Sequence, residues 1–369
     1  MNILWFSWKD ASHPLAGGAE IVGQELAKRL AKDGHSVIFI VGGYKGCKHI
    51  SVENGYKIIR VGNRFTLYIQ AAWYYLKYLR TWPDLIIEEI NTVPFFTQLY
   101  SHKKRLLFFH QLCREIWFYE FPFPVSILGY VVEPLYLRFL STHNTICVSK
   151  STKQDLQKYG FKSNKIHIIT EGINLVPLDT FDKAKKSNAF TVLSFGTMRS
   201  MKQTLDQIKA FEIIKDEIPS AQMVVAGNSS GRYGKKVLEY ISKSPCKKAI
   251  RYVGRVNHKQ KSELMQQSHA LLVTSVKEGW CLVITEANSQ GTPSVAYDVE
   301  GVRDSIKAGI SGILTKQNSY TELAQEVVRL YRNKKLYNEL GSEALKLSKM
   351  CTYDASYKDF LSIILNHVR

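Results

Sequence analysis

The sequence predicts an α/β protein of two doubly wound, Rossmann-like domains facing each other across a cleft. Three observations support this. Apolar, strand-like runs alternate with helical patterns almost throughout, and repeated β-α-β units imply a parallel sheet covered on both faces. The 369 residues are too many for one ordinary core. The alternation pauses once, over residues 175–189, where a Pro, two Asp and the cluster Lys183-Ala184-Lys185-Lys186-Ser187-Asn188 read as a linker.

Residues 3–6 form the first expected strand and 19–32 the first helix, with Ile21, Leu26, Ala27 and Leu30 on one apolar face. Strands at 36–41 and 56–61 precede an aromatic-rich helix at 66–79, and further strands fall at 85–87 and 105–109. Strand 145–148, helix 151–159 and strand 166–169 complete the first half. After the pause come strand 191–195, helix 203–214, strand 223–226, helix 235–241, strand 250–253 and helix 259–267. A buried strand at 270–274 runs through a loop into a helix that ends before Gly291-Thr292-Pro293. Strand 294–296, helices 321–332 and 336–348 and an amphipathic segment at 353–368 close the chain. The expected divisions are an N-terminal domain at 1–175, a linker at 176–189, a C-terminal domain at 190–350, and a helix at 351–369 able to pack back on the N-terminal domain.

Six cysteines are scattered without a pair at metal or redox spacing, so reduced thiols in a cytoplasmic protein are the simplest account. No histidine pair has ligand spacing, and no metal site is expected. The N-terminus lacks the basic and long apolar regions of a signal peptide. The most apolar long window, residues 121–140, is interrupted by Pro122, Pro124, Glu133, Pro134 and Arg138, which makes a poor transmembrane helix. The net charge of +18 is spread evenly: residues 1–174 hold 21 basic against 13 acidic side chains, and the rest 29 against 19. Such a surface attracts anions, whether lipid headgroups, phosphorylated small molecules or nucleic acid. No nucleic-acid-binding motif appears, so a nucleic-acid partner is not expected.

Three strand-to-helix loops carry candidate chemistry. Gly17-Gly18-Ala19-Glu20 follows the first strand, where glycines permit close backbone approach and helical N–H groups receive anions. It is not the G-x-G-x-x-G dinucleotide fingerprint. Gly196-Thr197-Met198-Arg199-Ser200-Met201-Lys202 places two cations in the corresponding loop of the second domain, suited to a diphosphate. Glu278 and Glu286 stand eight residues apart across the turn after strand 270–274, at the carboxyl end of the sheet where such folds bind ligands. His110 ends strand 105–109 and emerges at the same edge of the N-terminal sheet.

In order and spacing these motifs resemble glycosyltransferase family 4, retaining enzymes of the GT-B fold. Val148-Ser149-Lys150-Ser151, Glu171-Gly172-Ile173-Asn174, Val253-Gly254-Arg255 and Gln290-Gly291-Thr292-Pro293 extend the likeness over nearly the whole chain. The resemblance implies transfer of a sugar from a nucleotide-diphosphate sugar, without a cofactor or metal. Catalytic parts fall to Glu278, which would hold the transferred sugar, to His110 near donor and acceptor, and to Lys202, which would stabilise the leaving diphosphate. Donor binding falls to Gly17, Gly18, Gly196, Arg199, Lys202, Gly279, Trp280, Cys281, Leu282 and Glu286, the last on the ribose hydroxyls. The chain departs from the family at Thr197, where an arginine is usual, at Trp280-Cys281 in place of Phe-Gly, and at Glu171 in place of Asn. A catalytically impaired sugar-nucleotide-binding protein and a GT-B-type epimerase are therefore the alternatives.

The resemblance assigns the acceptor to the N-terminal domain, which is rich in aromatics at Trp73-Tyr74-Tyr75, Phe108-Phe109 and 116–123, with Arg80, Lys103, Lys104, Arg105 and Arg114 interspersed. Aromatic and basic residues together suit an anionic headgroup region. The expectation is an enzyme peripheral to the inner face of a membrane, acting on a glycan or lipid-linked acceptor.

Overall fold

A computed structural model describes residues 1–368. The chain forms two compact units. One comprises residues 1–114, 128–172 and the chain from Tyr353 onward; the other comprises 115–127 and 173–352.

The N-terminal unit holds an eight-stranded sheet of β1 (Asn2–Phe6), β2 (Ser36–Gly42), β3 (Ile50–Glu53), β4 (Tyr56–Val61), β5 (Leu85–Ile90), β6 (Lys104–Phe109), β7 (Thr145–Cys147) and β8 (Ile166–Ile168). The order is β3-β4-β2-β1-β5-β6-β7-β8, parallel except for β3, which pairs antiparallel with β4. One face is covered by the helices Gly18–Lys32 and Tyr353–Val368, where Trp5 stacks between Phe39 and Phe360 at 5.1 and 5.7 Å. The other face presents Leu4, Phe6, Ile86, Leu107 and Phe109 to the helices Leu67–Tyr74 and Val125–Leu140.

Two departures from expectation have causes that lie away in the sequence. Strand β5 continues through Glu88 and Glu89, where the apolar run stops in the sequence. Both acids are buried and held by long-range donors: Glu88 accepts from the N–H groups of Phe96 and Thr97 at 2.9 and 3.1 Å, and Glu89 accepts from the indole of Trp5 at 3.0 Å through Oε2, while its Oε1 faces His110. The window at 121–140 is largely one helix, Val125–Leu140, in spite of Pro134. Proline removes the N–H that would bond the carbonyl four residues back. That carbonyl, on Tyr130, accepts instead from the Arg114 guanidinium at 2.9 Å.

The second unit carries six parallel strands, β9 (Thr191–Phe195), β10 (Gln222–Ala226), β11 (Ile250–Gly254), β12 (Ala270–Val273), β13 (Ser294–Ala296) and β14 (Gly312–Leu314), in the order β11-β10-β9-β12-β13-β14. Helices on both faces close two cores, one around Ile208, Phe211 and Leu323, the other around Ile284, Ala287 and Met265. The expected linker packs along this unit. Leu178 N–H donates to Ser289 O and Ser187 N–H to Gln267 O, each at 2.9 Å, and Lys186 Nζ reaches Thr292 Oγ1 at 2.6 Å. Burial lowers the Lys186 ammonium to about 7. Residues 115–127, expected in the N-terminal domain, belong to this unit.

Candidate functional site

In the second unit β9 and β12 lie side by side, and the helices that follow them cover opposite faces of the sheet. Such a topological switch point opens a crevice at the carboxyl ends of the strands. Both cation- and glutamate-bearing loops leave from it. They are stitched together, because Val276 N–H donates to Met201 O at 2.8 Å and the Thr274 hydroxyl to Lys202 O at 2.9 Å.

The stitching brings Lys202 and Glu278 into contact. Lys202 Nζ forms an ion pair with Glu278 Oε1, which also accepts from the Ser275 hydroxyl at 2.6 Å. The Lys202 side chain is 30 % exposed and that of Glu278 10 %, so the pair is open on the cation's side. Burial pulls the Lys202 ammonium down, but the Glu278 charge outweighs it and the net shift is upward. Gly301 lets the chain pass close behind: its φ is +76°, and a Cβ there would stand 2.2 Å from Glu278 O. A small cavity of about 20 Å³ is lined by Gly196, Thr197, Lys202, Ser275 and Cys281.

Cys281 caps the helix Leu282–Ser289 in a left-handed conformation, φ +69°, that favours glycine. Its thiol is buried, and burial pushes its pKa far up. Trp280 turns its indole N–H to Thr285 Oγ1 at 2.9 Å, so the ring lies along the first turn of that helix. One turn further, Glu286 pairs with Lys261 of the helix His258–Gln267. Arg199 is engaged by Glu120 Oε2 at 3.0 Å, while Glu120 Oε1 accepts from Met201 N–H at 3.1 Å.

In the N-terminal unit the glycine-pair loop is closed by its own side chains. Gly17 N–H donates to Glu20 Oε2 at 2.7 Å, and Lys9 Nζ lies 3.2 Å from Glu20 Oε1. A carboxylate of the protein thus occupies the first-turn position suited to an anion. His110 is buried, stacked on Phe108, with Nδ1 3.0 Å from Glu171 Oε1. Its Nε2 stands 3.3 Å from Glu89 Oε1 but out of line for a hydrogen bond. Burial disfavours the charged ring; the Glu171 hydrogen bond and the two carboxylates more than offset this and raise it to about 10. His110 is therefore a fixed imidazolium at neutral pH.

Lys261, Ser275, Glu120 and Glu89 are the site's residues that the sequence reading misses. Lys261 and Glu120 meet their partners only through long-range packing, and no local pattern marks them. Glu171 is visible in the sequence as a departure from the family, and the structure supplies its reason, a partner for His110.

The fold and these loops define the GT-B class of glycosyltransferases. The description "Glycosyl transferases group 1" matches residues 177–347, and "Glycosyltransferase Family 4" matches residues 16–176. The chain belongs to glycosyltransferase family 4. Its curated relatives include the N-acetyl-alpha-D-glucosaminyl L-malate synthase of Bacillus anthracis, 22 % identical, the match covering 90 % of this chain and 89 % of that one. They also include the N,N'-diacetylbacillosaminyl-diphospho-undecaprenol alpha-1,3-N-acetylgalactosaminyltransferase of Campylobacter jejuni, 25 % identical over 60 % of each chain. The share of a relative's own length that is spanned differs, being 25 % for the poly(glycerol-phosphate) alpha-glucosyltransferase of Bacillus subtilis and 92 % for a glycosyltransferase of Haemophilus influenzae. Among solved structures, Anabaena Alr3699/HepE in complex with UDP-glucose is similar in fold, with a TM-score of 0.78, 16 % identity, and 99 % of this chain and all of that one covered.

Proposed function

We propose that this chain is a retaining, metal-independent glycosyltransferase that moves a sugar from a nucleotide-diphosphate sugar to a glycan or lipid-linked acceptor at the cytoplasmic face of an anionic membrane. The observation that carries the reading is the pair Lys202–Glu278 at the β9/β12 switch point, open on the cation's side. An incoming diphosphate offers Lys202 a stronger anionic partner. Glu278, still held by Ser275, is then free to accept hydrogen bonds from the sugar hydroxyls. Glu286 does the same for the ribose once Lys261 turns to the phosphates. Gly196 allows backbone approach, as do Gly17 and Gly18 once Glu20 releases the Gly17 N–H, and N–H groups from Gly279 to Leu282 orient the sugar. His110, charged and fixed between Glu171 and Glu89, acts on the acceptor side through its charge and by holding the end of β6 in place.

In this reading the acceptor oxygen attacks the anomeric carbon on the face from which the phosphate leaves. The carbon–oxygen bond to the diphosphate breaks, its electron pair stays on the phosphate, and that oxygen takes the acceptor proton. The products are the glycoside and a nucleoside diphosphate. Lys202 supplies the charge that a metal would otherwise supply, and no carboxylate acts as nucleophile. UDP-sugars are the first donors to test, on the strength of the Anabaena structure's ligand. A lipid-linked acceptor follows the name of the Campylobacter relative.

A second reading, a sugar-nucleotide-binding protein without turnover, is favoured by one contact: Arg199, the cation nearest the usual arginine position, is engaged by Glu120. Thermal-shift screening against nucleoside diphosphates and UDP-sugars, followed by donor hydrolysis and transfer for wild type and Glu278→Ala, separates the two. The variant is expected to lose about 100-fold or more in turnover. Equal turnover in both proteins removes Glu278 from the mechanism, and binding without turnover in wild type selects the second reading.

A further inference from the structure

We propose that one face of the N-terminal sheet docks on an anionic lipid bilayer, through two helices lying in its headgroup region. The inference rests on the membrane-side reading above and names the surface.

The helix Leu67–Tyr74 and its π-helical extension Tyr75–Leu79 turn Leu67, Ala71 and Tyr75 into the core. The helix Val125–Leu140 does the same with Tyr136, Leu137 and Leu140. Both sit on one sheet face, because Leu4, Ile86 and Arg105 are register partners in β1, β5 and β6, as are Phe6, Glu88 and Leu107. The segment between β5 and β6 ties them together: Phe95 packs on Tyr68 at 4.9 Å, and Phe96 on Phe139 at 6.4 Å.

What these helices turn outward is apolar. Ile69, Trp73 and Leu76 follow helical spacing on the first, with Ile69 77 % and Trp73 54 % exposed, and Phe65 is exposed in the turn just ahead of it. On the second, Leu128, Val131, Val132, Leu135 and Phe139 do so, with Leu135 64 % and Phe139 50 % exposed. Leu99, between β5 and β6, is also exposed. Side chains of this size at these spacings otherwise face a core. A contiguous apolar surface marks an interaction site.

Charge selects the partner. Residues 67–80 contain no acid, and the single acid of 125–140, Glu133, is buried against the N–H groups of Cys113 and Arg114. The exposed charges on these helices and within three residues of their ends are Arg64, Lys77, Arg80 and Arg138. Lys77 Nζ lies 4.6 Å from the Trp73 ring and 5.0 Å from the Tyr78 ring, and the Arg64 guanidinium 5.1 Å from the Phe65 ring. Aromatic bodies with cations above them match the headgroup layer of an anionic bilayer, where each cation adds about 1 kcal/mol. No helix among the described residues is long and apolar enough to cross a membrane.

Vesicle co-sedimentation tests the proposal. Wild type is expected to bind phosphatidylglycerol-containing vesicles at low salt, and to bind neither phosphatidylcholine vesicles nor the anionic ones at high salt. The Lys77→Gln/Arg80→Gln variant, which alters only surface charge, is expected to bind about 30-fold more weakly. Ile69→Ser/Leu135→Ser should lose binding while its unfolding transition stays cooperative. Brominated lipid should quench tryptophan emission, and Trp73→Phe should remove most of that quenching. No binding of wild type to anionic vesicles at low salt overturns the proposal, and so does unchanged binding by both variants. Concentration-dependent self-association through this face without lipid binding assigns it to a second copy and equally overturns it. Donor hydrolysis measured without lipid reports on the transferase reading independently of all these arms.

Discussion

The same winding appears twice in this chain, yet the ionic contacts at its strand ends differ in kind. In the N-terminal unit they are sealed. Asp10 and Arg60 pair at 2.7 Å with side chains 0 % and 4 % exposed, Lys9 and Glu20 are buried, and His110 sits between Glu89 and Glu171. In the C-terminal unit they are open on the cation's side: Lys202 and Lys261 keep 30 % and 22 % of their side-chain surface and Arg199 49 %. A buried pair is costly to break and so sets geometry, whereas a half-open pair can exchange one anion for another at little desolvation cost. One sheet edge is thereby built to hold its shape and the other to accept a charged ligand.

The largest effect should come from breaking a sealed pair. Asp10→Ala leaves the buried Arg60 guanidinium with only the longer, half-exposed Glu53 contact at 3.5 Å and is expected to lower stability by about 3 kcal/mol in chemical denaturation. A loss near that of a surface variant would erase the contrast between the units. His110 offers a test through pH. Its folded pKa is raised, to about 10 against 6.5 for the free side chain. The stabilisation from its protonated form is therefore complete below pH 6.5 and lost as pH rises toward 10. The stability difference between wild type and His110→Asn should shrink across that window. Taking the difference cancels Lys186, whose lowered pKa acts with the opposite sign. A difference independent of pH would mean that the ring is not held charged. Arg332, paired at the surface with Glu217 and 64 % exposed, marks the lower end: Arg332→Ala should change stability by no more than about 0.5 kcal/mol.

The motif positions were legible because each lies where a strand ends or a helix begins, and those boundaries follow from apolar patterning. Gly196, Glu278 and His110 fall directly after or close behind the expected strands, and Gly17 stands at the start of the first expected helix. Local pattern also located the terminal helix and the pause before β9. It failed where a distant group changes what a residue costs. Glu88 and Glu89 continue β5 because Phe96, Thr97 and Trp5 donate to them, and Pro134 sits inside a helix because Arg114 caps the carbonyl it strands.

By itself, then, the sequence determined the two doubly wound units, the loops that carry chemistry and the excess of positive charge, all properties of short-range periodicity and composition. Only the tertiary structure decided the partners: Lys202 with Glu278, Lys261 with Glu286, Arg199 with Glu120, and His110 with Glu171. It also decided that the aromatic helices turn their large side chains outward on one face. Which charges meet, and which apolar stripes stay uncovered, depends on strand order, and strand order is set by the packing of the whole unit and not by any local stretch.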